Sequence, residues 1–256
     1  MVRLPGGKGN GIMLAQALMA AAGNQGLTYA QIVLQDSPIA YWPLDETSGT
    51  IAYDQSGNGY NGTYNGGIIL NDYMSIPGTG GGAPKFDGST TYVTGTQLLT
   101  SSITNVTLES WVNFETNTTP TGGCFFKNGQ YNNGYAMGNG GTDFDSSGNN
   151  FIGLYEDVSW NPTTSSIPTN GWHHCVIIIG STSESTYYID GAQVATNPNS
   201  GIYIPGAEWV IGADDNNSSN GNVIARFFAG SLSNIAIYGT ALSATRILAH
   251  YDAGIS

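Results

Sequence analysis

The stretch VTLESWVNF, residues 106–114, sets Val106, Leu108, Val112 and Phe114 on one face of an extended chain and Thr107, Glu109 and Asn113 on the other. A period of two predicts a half-buried β-strand, apolar side to a core and polar side to water. STYYIDGAQVA (185–195) places Asp190-Gly191 between two strand-forming runs, the signature of a tight hairpin turn. EWVIGA (208–213), VIARFFAG (223–230) and LSNIAIYG (232–239) are further short β runs separated by Gly-, Asn- and Ser-rich loops. Together they predict roughly 10–14 short strands in one antiparallel two-sheet sandwich.

Composition agrees. The 256 residues include Gly 37 and Tyr 15, with only 9% charged, which suits many strands joined by tight turns. Eighteen acids against 6 bases give a net charge of −12, which argues against binding to a phosphate backbone, and so no nucleic acid partner is expected. No apolar run reaches the roughly 18 residues of a membrane-spanning helix, and no membrane span is expected. Cys124 and Cys175 sit in apolar runs without metal-type spacing and are expected as reduced structural thiols, with pairing between them left open.

The two ends read as helical. TYAQIVLQDS (28–37) offers Thr28 as N-cap, an apolar stripe at Tyr29, Ile32 and Val33, and Pro38 as terminator; Ser243 can cap ATRILAHYDA, with Ile247, Leu248 and Tyr251 on one side. IMLAQALMAAA (12–22) is dense in helix formers. Residues 1–37 are therefore expected to form an arm with helical segments, and residues 38–256 a domain. Arg3 and Lys8 are the only charges before Asp36, so a basic end precedes an acidic body. An apolar segment without a polar face is expected to bury against another subunit, through Arg3, Lys8, Ile12, Leu14 and Leu18. A secretory leader is the competing reading; glycines before the apolar run and Gln16 within it count against that.

In chain order, SPIAYWPLDETSG (37–49), AYDQSGNGYNG (52–62), FDGSTTYV (86–93), VTLESWVNF, GWHHCVIIIGSTSESTYYIDG (171–191), VIGA (210–213) and FAGSLSNIAIYGTALSATRILAHY (228–251) resemble the concanavalin A-like jelly roll of the laminin G-like family. The resemblance covers residues 38–253. It implies an all-β, two-sheet antiparallel jelly-roll sandwich with a short helical N-terminal arm and a short C-terminal helix. It also implies that Tyr41 and Trp42 enter the core while Asp45 and Glu46 stay at the rim. Fold does not fix function, since this one hosts lectins, glycanases, adhesion modules and virion proteins.

Several constellations could carry chemistry. Asp54, Ser56 and Asn58 in DQSGN offer the oxygen ligands that Ca²⁺ prefers, with an ion-free Asx-turn as the alternative. The resemblance adds a ligand from a strand near the C-terminus, at Asn234, where a neutral amide stands in place of an acid. Asp143, Asp145 and Ser147, followed by Gly148, match the first half of a calcium loop that has Leu154 where the closing Glu belongs. Asp214 and Asp215 form a third acidic tip, expected as a solvated loop. Glycoside hydrolysis needs two carboxylates at a fixed separation. Trp111 follows Glu109 by two residues, and Glu156-Asp157 are adjacent and so would face opposite ways, which makes catalysis unexpected. His173 and His174 are expected as packed or edge histidines. Tyr131, Tyr135, Tyr155 and Trp160, in Asn-rich segments, are the candidates for stacking on sugar rings, with burial in the core as the alternative.

The reading that joins these features is a non-enzymatic virion structural or adhesive protein, a phage head decoration protein or fibre. Its arm would dock on other virion subunits or on its own copies as a homo-oligomer, and its jelly roll would meet cell-surface glycans, with calcium as the cofactor of the Asp54 loop. A secreted or surface carbohydrate-binding module is the alternative, and a glycan depolymerase a further one.

Overall fold

The computed structural model describes residues 26–74, 76–98, 103, 105–114, 122–129, 134–141, 148, 150–154, 160–169, 171–180, 184–198, 208–215 and 224–256. In chain order these form helix α1 (Tyr29–Leu34), β1 (Ala40–Trp42), β2 (Ile51–Ala52), β3 (Gly62–Asn65), β4 (Ile69–Met74), a 3-10 turn (Pro77–Thr79), β5 (Gly82–Asp87), β6 (Tyr92–Gly95), β7 (Asn105–Phe114), β8 (Gly123–Asn128) and β9 (Tyr135–Asn139). They continue with β10 (Asn150–Leu154), β11 (Trp160–Ser166), β12 (Trp172–Gly180), β13 (Glu184–Ile189), β14 (Ala192–Pro198), β15 (Trp209–Ile211), β16 (Asp214–Asp215), β17 (Ile224–Ala225), β18 (Ala229–Tyr238) and helix α2 (Ala244–Gly254). The strands outnumber the sequence expectation because pieces such as β2 and β17 are only 2 residues long, too short for a period to show.

Two antiparallel sheets make the expected sandwich. The first runs β14-β13-β12-β7-β18-β5-β4, with β1 also paired to β18; the second runs β11-β10-β9-β8-β15-β6-β3-β2. Asp190 and Gly191 close the β13–β14 hairpin with φ of 52° and 75°, the left-handed pair that an Asp-Gly turn supplies. Trp42, Phe86, Leu108, Val112, Phe114, Phe126, Ile177 and Trp209 fill the space between the sheets. Trp42 and Trp209 meet there with ring centroids 4.2 Å apart. Tyr41 is also buried, while Asp45 is exposed and Glu46 half-buried, as expected.

The other face of β7 departs from expectation. Thr107 and Glu109 are 0% exposed and Asn113 6%, so the side predicted to meet water is buried. The reason is tertiary: α1 and α2 lie across the outer face of the first sheet, and Tyr29, Val33 and Ile247 join Trp111, Val176 and Tyr238 in a second apolar cluster. Thr28 caps α1 in a reciprocal box with Gln31, and Ser243 Oγ accepts the Arg246 N–H at the start of α2. The predicted α1 stripe, Tyr29, Ile32 and Val33, is the buried one. Although the sequence reading grouped it with the arm, α1 thus packs as part of the domain. In α2 the buried set is Ile247, Ala249, His250 and Gly254; the predicted Ile247 is fully buried and the predicted Tyr251 packs beside it over Trp111, while Leu248 is half-buried.

Candidate functional site

The Asp54 loop is saturated by its own protein. Asp54 Oδ1 accepts the N–H groups of Tyr41 (3.0 Å) and Ser56 (2.8 Å), and Oδ2 accepts Ser56 Oγ (2.8 Å) and the Tyr60 N–H (2.9 Å). Asn58 turns its amide nitrogen, not its oxygen, to this loop's neighbour, donating to the Ile39 carbonyl at 2.9 Å. Asn234 accepts the Tyr41 hydroxyl at 2.5 Å, so Asp54 and Asn234 meet opposite ends of Tyr41 rather than one centre. Asn234 itself sits at a bulge in β18 with φ 52°, where β18 passes from pairing with β5 to pairing with β1. This donor set does not fit Ca²⁺: a cation would have to displace N–H and O–H donors already in place. The Ser56 N–H bond to Asp54 Oδ1 makes the loop an Asx-turn.

Of the predicted sugar-stacking residues, Tyr135 is corrected outright. It is 0% exposed in the core, with its hydroxyl accepting from Asn128 Nδ2 at 2.7 Å, because β9 turns that ring between the sheets. Trp160 is described only by its backbone place in β11. Tyr131, Tyr155, Asp143, Asp145, Ser147 and the arm residues Arg3, Lys8, Ile12, Leu14 and Leu18 lie outside the described residues. Cys124 and Cys175 are buried free thiols. Asp214 is no solvated tip: it is fully buried and bridges Lys127 Nζ and Arg226 Nη1. A buried carboxylate between two cations needs no further partner, and it pins β16 to β8 and β17.

Beneath the helices lies a cluster that sequence reasoning did not assemble. Glu109 Oε1 accepts Tyr29 Oη and His174 Nε2, each at 2.8 Å; Oε2 accepts Tyr238 Oη at 2.8 Å and His250 Nδ1 at 2.9 Å. The other nitrogen of His250 meets Asp36 Oδ2 at 2.8 Å, and Asp36 also takes Arg246 Nε. Both ring nitrogens of His250 therefore face carboxylates, which only the imidazolium can satisfy. Burial alone would lower the His250 pKa; the Glu109 charge and the Asp36 hydrogen bond hold it up at about 9. Burial alone would raise the Glu109 carboxyl; the His250 charge and the hydrogen bonds of His174 and His250 keep it well below the usual carboxylate range. Burial and the Glu109 charge push the Tyr29 and Tyr238 hydroxyls well up. Sealed from solvent, with its acceptors occupied, Glu109 is equipped to join helices to sheet and not to attack a substrate. His173 lies apart, its Nδ1 bonded to Asp190 Oδ2 at 2.8 Å.

An open site begins where the helices stop. Residues paired directly across neighbouring strands share a face, so Trp172, Asn113, Ser231 and Lys85 form one row on β12, β7, β18 and β5. This is the helix-covered face, but α2 ends over Trp111: a Cβ on Gly254 would sit 2.2 Å from the Trp111 ring. The next outward-facing residue of β7 is Asn113. Here a cavity of about 280 Å³ is lined by Asp72, Tyr73, Lys85, Asn113, Gly230 and Ser231. Tyr73 is 48% exposed and meets Trp172 edge-on, with ring centroids 6.1 Å apart. Asn113 Nδ2 is buried and has no hydrogen-bond partner among the described residues. The sequence did place Asn113 on the polar face of its strand, but nothing in it foretold that Tyr73 on β4 would meet Trp172.

Residues 87–248 match the family model described as the concanavalin A-like lectin/glucanases superfamily, of laminin G type. No curated protein matches the chain in sequence. Among solved structures, domain 4 of a GH43 extracellular arabinanase from Geobacillus stearothermophilus, in complex with arabinotriose, is 19% identical, with a TM-score of 0.58 over 82% of this chain and 96% of that one. The binding domain of botulinum neurotoxin DC in complex with SialylT is 14% identical, with a TM-score of 0.62 over 86% of this chain; the same domain with rat synaptotagmin II is 15% identical, with a TM-score of 0.61. The chain spans about half the length of these toxin domains, 52%. At such identities the likeness is one of fold.

Proposed function

We propose that this chain, which belongs to the concanavalin A-like lectin/glucanase superfamily, is a non-catalytic glycan-binding module. The observation that carries the reading is the cavity at Asn113, where a buried amide donor with no partner among the described residues lies beside exposed Tyr73 and its neighbour Trp172. Sugar sites combine these two elements, aromatic rings for C–H faces and a few placed polar groups for hydroxyls. An arabinanase domain in complex with arabinotriose and a toxin domain in complex with SialylT, both of similar fold, lend support. The sealed position of Glu109 supports the non-catalytic part. The finer reading places the module on a virion, as a phage head decoration protein or fibre. Its support is the contrast between a basic, apolar arm carrying Arg3 and Lys8 and an acidic body. Incubation of the full chain with polysaccharides tests the core of the reading: retention without release of reducing ends is expected, and released reducing ends would refute it. Recovery of the chain in purified particles tests the virion placement.

A further inference from the structure

We infer that the Asn113 cavity is the sugar subsite itself, and that it takes one neutral monosaccharide unit, at a chain end or branch, in preference to an acidic one. This rests on the glycan-binding reading above. Asn113 is 6% exposed and its Nδ2 has no hydrogen-bond partner among the described residues, which leaves that donor to whatever occupies the cavity. A buried donor of this kind is costly to leave unmade, and a ligand oxygen reaching it recovers that cost. Ser231, its cross-strand neighbour, adds a hydroxyl to the same floor. Tyr73, 48% exposed above that floor, gives the flat apolar surface that a pyranose ring covers.

Size and charge narrow the ligand. The cavity of about 280 Å³ lies just under the range of about 300–1,000 Å³ that holds drug-sized molecules, which suits a single ring rather than a stretch of polymer. Asp72 and Lys85 both line it, so its formal charges cancel, and the chain as a whole carries −12. Uronate- or sialate-bearing chains are thus repelled at a distance by the body and gain no net charge attraction at the site.

The test uses the full chain on an array carrying neutral hexose oligosaccharides beside uronate- and sialate-bearing ones. Calorimetry follows with the strongest neutral binder, on wild type, Asn113→Leu and Tyr73→Ala. Neutral glycans should bind, and each substitution should weaken them by about tenfold or more. Asn113→Leu keeps the side-chain shape and removes the unmade donor, so its Tm should hold or rise while binding falls, a combination that a merely structural role does not give. Tyr73→Ala, at an exposed position, guards against a variant that fails to fold. Binding confined to acidic glycans overturns the inference. Unchanged affinity in both variants overturns it too, and would leave the glycan reading standing with its site elsewhere. No binding to any glycan overturns both.

Discussion

Replacing Glu109 by Gln isolates the buried cluster that fastens the two helices to the sheet. The side chain keeps its shape, but Oε2, which accepts Tyr238 Oη and His250 Nδ1 at 2.8 and 2.9 Å, becomes an amide that must donate. His250 then keeps only Asp36 as a counter-charge, and donor faces donor across a dry gap. Removing one partner of a buried ion pair costs about 3–5 kcal/mol. For a domain of this size that is a Tm loss of roughly 6–20 °C. A pH series adds a sharper signature. The folded pKa of His250 is raised from 6.5 to about 9, so its contribution is complete below 6.5 and lost as pH rises through about 9. That contribution is about 3 kcal/mol. The folded pKa of Glu109 is lowered from 4.5, so its contribution is present above 4.5 and lost as pH falls through its folded value. Wild type should therefore be most stable between about 4.5 and 6.5 and decline toward 9, and Glu109→Gln should flatten that alkaline decline. Urea denaturation at half-unit pH steps reads both effects. A loss below about 1 kcal/mol at pH 6, or an alkaline limb identical in the two proteins, would refute the assignment of Glu109 as the counter-charge of a buried imidazolium.

Three further outcomes follow from the same structure. Trp42→Ala removes a ring that is 0% exposed and packed against Trp209 and Phe126, and should cost about 3–5 kcal/mol in chemical denaturation; a loss under about 1 kcal/mol would mean the ring is not core. Asp54→Ala should lower Tm through the lost turn bonds to Tyr41, Ser56 and Tyr60, whereas excess chelator should leave the wild-type melting curve unmoved; a fall in Tm on chelation would restore a cation to that loop. Deleting residues 1–27 should leave a folded domain by circular dichroism, because Thr28 and the α1 stripe remain; deleting 1–37 removes Tyr29 and Asp36 and should unfold or strongly destabilise it, and equal stability of the two truncations would count against α1 as part of the core.

What the sequence made legible was local. Period two found β7, Asp-Gly found the β13–β14 turn, and Thr28 and Ser243 marked the helix starts, because each signal depends on neighbours within a few residues. What it concealed was long-range. Glu109 reads as a surface residue of an amphipathic strand until Tyr29, 80 positions away, and His250, 141 positions away, are folded over it. His250 stands in a helix whose packed face the apolar pattern read from Ile247, Leu248 and Tyr251, and its burial depends on two carboxylates that no spacing connects to it. The Asp54 loop hides its bonding in a similar way: DQSGN supplies oxygen atoms of the kind calcium prefers, but the backbone N–H groups of Tyr41 and Tyr60 already reach Asp54. Asp214 looked like a loop-tip acid because Lys127, its buried partner, is 87 residues away in sequence.

One strand connects the stability of this domain to its proposed function. From Thr107 onward the outer-facing residues of β7, in order, are Thr107, Glu109, Trp111 and Asn113. The first three are sealed: Thr107 Oγ1 donates to the Thr240 carbonyl and accepts the Leu242 N–H, Glu109 grips both helices, and Trp111 lies under Tyr251 and Gly254. At Asn113 the helix cover gives way to the cavity, and there the strand keeps a polar side chain whose Nδ2 has no hydrogen-bond partner among the described residues. The length of α2 thus decides which outer residue of β7 meets a ligand, and the Glu109 cluster decides where α2 lies. A helix held by weaker anchors would slide or lift and blur the edge of the cavity. On this view the buried carboxylate and its imidazolium matter to binding from a distance, by fixing the boundary between the sealed and open halves of one sheet face.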